Sequence, residues 1–282
     1  VIGNTVANDS LQFPQTKISV ASSNNVSRLN ITTAATQTIN DANLSAQITS
    51  LPDGLEIHFD ESSIVLNEKT WRIDGGGELT LSRSHIHAKD INFSNGDQKI
   101  SLVSKHSDVG AWDDIIVDFN RVIIGDFIPF VLSEPRMEGV ISGNVIIEDA
   151  FQDMYISSEL KAEQFRLESD SIGEIQITAA WDGSNKNAKF EAISDNENYK
   201  FSVAGSYDMS DSLHHQINAN ANFDYTNIHF LEKYLSTVFD SMKGFATGNL
   251  RMQGDINKPD YVGDIDVKDA GLKVAYTQCY YT

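Results

Sequence analysis

Apolar and polar residues alternate along most of this chain. Leu55, Ile57 and Phe59 are interleaved with Glu56, His58 and Asp60, and Ile217, Ala219, Ala221 and Phe223 with Asn218, Asn220 and Asn222. The same period of two runs through Leu79/Leu81, Ile175/Ile177/Ala179/Trp181, Ala188/Phe190/Ala192, Leu250/Met252, Ile265/Val267 and Leu272/Val274/Tyr276. Successive side chains of a strand point to opposite faces, so each stretch has one oily and one wet face. Parallel sheets covered on both sides read instead as continuous apolar runs. The pattern predicts an all-β, one-sided antiparallel sheet. Turn-forming clusters separate the strands: Asp74-Gly75-Gly76-Gly77, Asn95-Gly96-Asp97, Asp182-Gly183-Ser184 and Ile256-Asn257-Lys258-Pro259.

Two segments depart from this period. Over residues 228–242, Leu231, Tyr234, Leu235, Val238, Phe239 and Met242 recur at helical spacing behind Thr226 or Asn227 as N-cap. A shorter segment, 124–133, carries Phe127, Ile128, Phe130, Val131 and Leu132 around Pro129. Each is expected to form a short amphipathic helix. The longer is expected to cover one end of a sheet, or to lie on a groove with Phe230, Tyr234, Val238 and Met242 toward a ligand. Each is followed by the same signal. Gly139, Gly143 and Asn144 recur as Gly244, Gly248 and Asn249, all at an offset of 105. A helix, Gly-x-x-x-Gly-Asn and several strands therefore occur twice, which suggests a repetitive β architecture. The expected segments are 1–123, then a pseudo-repeat over 124–227, then a second over 228–282.

The charge narrows the range of partners. Asp and Glu number 40 against 21 Lys and Arg, a formal net charge of −19, which repels phosphate backbones and argues against nucleic-acid binding. The aromatic content, with 14 Phe, 9 Tyr and 3 Trp, is too high for a disordered chain. The single cysteine, Cys279, excludes an internal disulfide and any Cys-x-x-Cys site, and is expected to be a small core residue. No stretch approaches the ~20 apolar residues of a membrane helix. The start at Val1, without a signal sequence, suggests a piece of a longer chain whose anchor lies elsewhere.

The stretch from Gly244-Phe-Ala-Thr-Gly248-Asn-Leu-Arg-Met-Gln-Gly254 through Pro259-Asp-Tyr-Val-Gly263 and Gly271-Leu-Lys-Val-Ala-Tyr276 resembles the C-terminal β region of TamB and AsmA-like proteins. Ser63-Ile-Val-Leu66 with Trp71-Arg-Ile73, and the segments 86–93 and 98–103, resemble the form found in Bacteroidota. The likeness covers roughly residues 50–282 and is sharp over 244–276. It implies a periplasmic part of an inner-membrane-anchored protein, with a curved, elongated sheet whose apolar groove carries phospholipid between inner and outer membranes. It also implies, as the alternative, a scaffold for outer-membrane protein assembly with a BamA-type barrel as partner, binding clients at sheet edges by strand addition. A reading of another class is an elongated adhesin or binding module. It would call for exposed aromatic platforms and Ca2+ repeats of fixed Asp/Asn spacing, and no such repeat is present.

The groove picture agrees with elementary geometry. About 20 strands at ~4.8 Å spacing make a sheet on the order of 100 Å long, which must curl, close or stack. The same alternation also describes a β-sandwich core; curling the apolar face inward instead makes a trough that holds acyl chains at ~0.8 kcal/mol per buried CH2. The residues on the apolar parity, and so the expected lining, are Leu55, Ile57, Phe59, Leu66, Trp71, Ile73, Leu79 and Leu81, then Leu250, Met252, Ile265, Val267, Leu272 and Val274. Glu56, His58, Arg251 and Asp266 are expected to face water.

Catalytic chemistry is sparse. His85-x-His87 would set two imidazoles on one strand face, but without a third ligand it reads as two wet-face polar residues. His214-His215 reads as a turn, and His58, His106 and His229 as isolated. Asp113-Asp114 beside Trp112 is read as a turn before the strand 115–119 rather than a paired-carboxylate site. Gly75-Gly76-Gly77 lacks the Lys-Ser/Thr of a phosphate loop, and neither G-x-S-x-G nor H-E-x-x-H occurs. Sequons at Asn25, Asn30, Asn43 and Asn92 are attributed to composition. The expectation is a protein without catalytic residues, cofactor or metal.

Overall fold

The computed structural model describes residues 5–8, 11–14, 16–33, 41–66, 68–83, 85–106, 113–128, 134–150, 153–211, 213–232 and 239–282. Antiparallel strands dominate the described residues and helix is limited to short turns, which fixes the all-β class. The chain forms two compact units, one of residues 1–133 with 141–156 and one of residues 134–140 with 157–282.

The first unit holds β1 (Thr5–Asn8), β2 (Leu11–Pro14), β3 (Lys17–Ser23), β4 (Val26–Thr32), β5 (Ala42–Ser50), β6 (Gly54–Phe59) and β7 (Ser62–Leu66). It continues with β8 (Lys69–Ile73), β9 (Glu78–Ser82), β10 (Ile86–Lys89), β11 (Ile91–Asn95), β12 (Gln98–His106), β13 (Asp113–Ile123) and the one-turn helix α1 (Ile124–Phe127). β1 and β2 form a hairpin of their own. From β3 onward the ladder is antiparallel, and it contains an unusual seam. β5 pairs with β6 through Ala46–Ser50 and with β7 through Ala42 and Asn43. β9 pairs with β6 and β10, while β8 pairs with β7 and β11. Three long strands are thus each interrupted, at residues 60–61, at 74–77 and at Asp90. Asp90 has φ 51°, and Gly76, with φ 95°, donates its N–H to the Phe59 carbonyl at 2.9 Å.

Register carries the sequence period onto one face. Phe59 lies opposite Ala46, Ile57 opposite both Ile48 and Leu79, and Leu55 opposite Leu81. Ile64 lies opposite both Ala42 and Trp71, and Ile73 opposite Phe93, itself opposite Ile100 and then Phe119. Directly opposed residues share a face. Because even positions of β5 meet both halves of the seam, all these side chains share one face.

The second unit is built the same way. Its strands include β16 (Asp170–Asp182), β17 (Asn187–Asn196), β18 (Tyr199–Asp208), β19 (Gln216–Asn227), β20 (Phe239–Asp255), β21 (Asp260–Val274) and the short β22 (Tyr280–Tyr281). β14 (Met137–Glu148) and β15 (Tyr155–Leu167) have residues in both units. Trp181, Ala188, Tyr207, Ile217 and Gly254 follow one another in register, as do Phe190, Gly205, Ala219, Met252 and Tyr261.

The expected helix does not extend over the whole of 228–242, since residues 239–242 belong to β20. Residues 229–231 make a single 3-10 turn, and Met242 lies inside β20. Residues 233–238, including Tyr234, Leu235 and Val238, fall outside the described residues. Met242, opposite Leu272, satisfies strand pairing as well as a helical stripe would. Of the expected helix over 124–133, α1 is present and 129–133 lie outside the described residues. Asp113 and Asp114 belong to β13, paired with His106 and Lys105, and not to a turn. Cys279 is exposed rather than a core residue, and Tyr276 lies beyond β21 with 96% of its surface free.

The internal repeat extends to backbone detail. α1 begins at Ile124 and the 3-10 turn at His229, again 105 apart. Gly139, Gly143, Gly244 and Gly248 all have positive φ, between 121° and 145°. Before each helical turn the strand carries a left-handed residue, Arg121 (φ 54°) and Tyr225 (φ 60°). Its N–H is caught by the hydroxyl just ahead of the second glycine, Ser142 at 3.0 Å and Thr247 at 3.3 Å. The Gly-x-x-Ser/Thr-Gly signal therefore stitches a bulge in the preceding strand.

A Cβ on Gly248 would stand 2.1 Å from the Asp264 carbonyl oxygen, whereas one on Gly254 (φ 104°) would meet nothing within 4 Å. Gly248→Ala is therefore expected to cost at least about 3 kcal/mol in urea unfolding, against roughly 1 kcal/mol for Gly254→Ala. Equal losses would mean that backbone conformation, and not the close strand crossing, selects glycine at position 248.

Candidate functional site: the apolar face and its helical wedges

The expected lining residues of the first unit divide by depth. Trp71 and Ile73 are buried, at 1% and 8% exposure. Leu55, Ile57, Phe59, Leu66, Leu79 and Leu81 are only half-buried. In the second unit Leu250, Met252, Val267, Leu272 and Val274 are half-buried, and Ile265 is 41% exposed. A closed core would bury such residues almost completely. Most of this apolar surface is therefore incompletely covered.

Part of the face in each unit lies beneath a helical wedge. In the first unit Phe127 of α1 sets its ring edge-on to Trp71 at 5.0 Å. Asp126, on the same turn, is buried and takes both carboxylate oxygens to Lys69 Nζ, at 2.7 and 2.8 Å. Lys69 shares the strand parity of Trp71 and Ile73, so its ammonium is carried to the apolar side. Gln98, also buried, donates to Asp126 Oδ2 at 3.4 Å and accepts the Ile123 N–H at 2.8 Å. The carboxylate anchors the wedge and the amide ties its start to β12.

In the second unit Phe230 packs against Tyr199 and Phe201, with ring centroids at 6.2 and 6.4 Å. The 3-10 turn overlies a cluster of Phe223, Ile228, Met242 and Ala246. Again a buried aspartate anchors it. Asp170 accepts the Tyr199 hydroxyl at 2.7 Å and approaches His229 Nδ1 at 3.0 Å. Burial pushes the Tyr199 phenol well above its usual range, and the bond to Asp170 and its charge push in the same direction.

Neither aspartate was evident as a site residue in the sequence. The signal that marks these networks is a polar residue on the apolar parity: Lys69 in step with Trp71, Gln98 with Ile100, Tyr199 with Phe201.

The other candidates disperse. His85 bonds Ser82 at 2.7 Å, while His87 bonds Asp113 at 2.8 Å, so the two imidazoles do not converge. His87 holds the Asp113 carboxyl below its usual range, against the effect of burial, with His106 at 3.3 Å adding to it. Among the described residues no three His, Cys, Asp or Glu side chains form a group able to hold a metal ion. On the polar side of the first unit, Asn43, Ser63, Arg72 and Asp74 line a cleft of ≈ 570 Å³. Glu56 and His58 lie opposite Thr80 and Glu78 on that side, and Arg251 and Asp266 are exposed.

No family model, curated protein or solved structure matches this chain.

The Tyr199 phenol has a folded-state pKa raised above its unfolded value, so its contribution is complete below about pH 10 and is lost as pH rises further. Tyr199→Phe is expected to flatten the alkaline decline of stability, measured as urea midpoints between neutral pH and about pH 11. An unchanged alkaline slope would remove Tyr199 as its source.

Proposed function

We propose that this chain is a carrier rather than a catalyst, a periplasmic segment of a TamB/AsmA-like protein whose apolar faces hold phospholipid acyl chains between two membranes. The observation that supports the reading is an apolar face, continuous in register within each unit, of which Leu55, Ile57, Phe59, Leu79 and Leu81 in one unit and Leu250 and Met252 in the other stay half-buried. Acyl chains on such a face gain ~0.8 kcal/mol per methylene taken out of water. The net charge of −19 keeps the wet surface from adhering to anionic headgroups. The wedges give each face one dry, anchored end, where Trp71 in one unit and Ile228 in the other are closed to a ligand.

The test is lipid extraction and native mass spectrometry of the purified chain, with phospholipid expected to accompany it. Met252→Asp and Val267→Arg place a charge on the apolar parity, which costs several kcal/mol against acyl chains but little against a wall that hydrates. Both variants are expected to fold, by circular dichroism, and to lose bound phospholipid. Arg251→Glu, on the neighbouring polar parity, is expected to retain it. Unfolding of both apolar-parity variants, or a wild-type chain free of lipid, would sink the carrier reading.

A further inference from the structure

The seam in the first unit opens a cleft on the polar side of its sheet. β5 leaves β6 for β7, and β8 gives way to β9, so the strands part at residues 60–61 and 74–77. Asn43 on β5, Ser63 on β7 and Arg72 on β8 stand directly opposite one another, so their side chains share one face. Glu61 and Asp74 come from the two breaks, and with Gly75 they complete the lining of the ≈ 570 Å³ cleft. Gly75 lets the breaks approach each other, since a Cβ there would stand 3.2 Å from both the Cγ and the backbone nitrogen of Glu61. Backbone bonds hold the second break in place. The Asp74 N–H donates to the Asn92 carbonyl at 3.1 Å, and the Gly76 N–H to the Phe59 carbonyl at 2.9 Å.

The charges in this cleft do not satisfy one another. One guanidinium and two carboxylates line it, yet among the described residues Glu61, Arg72 and Asp74 form no ion pair and no side-chain hydrogen bond. The Asn43 amide and the Ser63 hydroxyl are likewise without a side-chain partner there. Elsewhere on the same side Lys89 and Glu78 do pair, at 3.2 Å. A guanidinium beside an amide and a hydroxyl, with carboxylates on the adjoining breaks, matches a ligand that carries both signs of charge a short way apart. Arg72 can take a carboxylate through two parallel N–H bonds, and Glu61 or Asp74 an ammonium. The carboxylates exceed the guanidinium by one charge, so a second cation on the ligand is accommodated and a second anion is not.

We propose that this cleft binds a free basic α-amino acid, with Arg72 on its carboxylate and Glu61 and Asp74 on its two ammonium groups. The cleft lies on the side of the sheet away from the apolar face, so the assignment is independent of the carrier reading and either can fail alone.

The experiment is isothermal titration calorimetry of the full chain with lysine, cadaverine, norleucine and glutamate. Lysine is expected to bind at one site, at least about tenfold more tightly than each of the others. Cadaverine lacks the carboxylate, norleucine lacks the second ammonium, and glutamate puts an anion in its place. Arg72→Gln is expected to bring lysine down to the level of cadaverine, and Glu61→Gln/Asp74→Asn to that of norleucine. All three side chains are exposed, and both variants are expected to fold by circular dichroism. Equal affinity for lysine and cadaverine in the unmodified chain would reduce the effect to attraction by an acidic protein and overturn the proposal, whether or not the variants fold. Tighter binding of phosphoethanolamine than of lysine would assign the cleft to a lipid headgroup and overturn it too. The absence of saturable binding, or an affinity for lysine unchanged in both variants, would have the same result.

Discussion

The structure depends on one constraint: a period of exactly two residues, held in register from strand to strand, sorts every side chain to one of two faces. A slip of one residue would exchange the faces of a whole strand. Register is therefore protected at each irregularity. Bulges at Asp224/Thr226 and Tyr199/Phe201 restore the parity after an extra residue, so that Phe223 and Phe201 still face each other and Thr226 still opposes Tyr199. The seam in the first unit obeys the same rule, since Ala42 and Ala46 of a single strand set the parity of both halves.

A sheet with one oily face must put something on it. Among the described residues little of the length serves that purpose. One turn of helix in the first unit and one 3-10 turn in the second cover a corner of each face, and each is pinned through a buried carboxylate, Asp126 by Lys69 and Asp170 by Tyr199 and His229. Anchoring a wedge with a paired buried charge contributes less to net stability than to position, because desolvation offsets most of the attraction. The pairing fixes where the covered corner ends and the half-open face begins.

The alternation made the strands, their turns and the two-sided character of the sheet legible in the sequence, and the glycine pair at an offset of 105 pointed to a repeat that extends to φ angles and a hydroxyl contact. The helical reading failed at 239–242 because Phe239 and Met242 fit a helical period only while tertiary pairing is ignored. In β20 Met242 is held by Leu272, thirty residues away, which local spacing does not report. Asp113 and Asp114 looked like turn residues, yet cross-strand partners in β12 draw them into the ladder. The wedge anchors stayed hidden for a related reason. Lys69 and Asp126 are 57 residues apart, and only the fold brings them within hydrogen-bond distance.

The repeated stitch has a consequence for what the chain tolerates at two inconspicuous positions. In each copy one hydroxyl, Ser142 or Thr247, holds the N–H of a left-handed residue in a neighbouring strand. An exchange between serine and threonine keeps that contact, whereas alanine would leave the N–H without it. Drift at these two positions is therefore confined to hydroxylic residues, although neither side chain belongs to the apolar face.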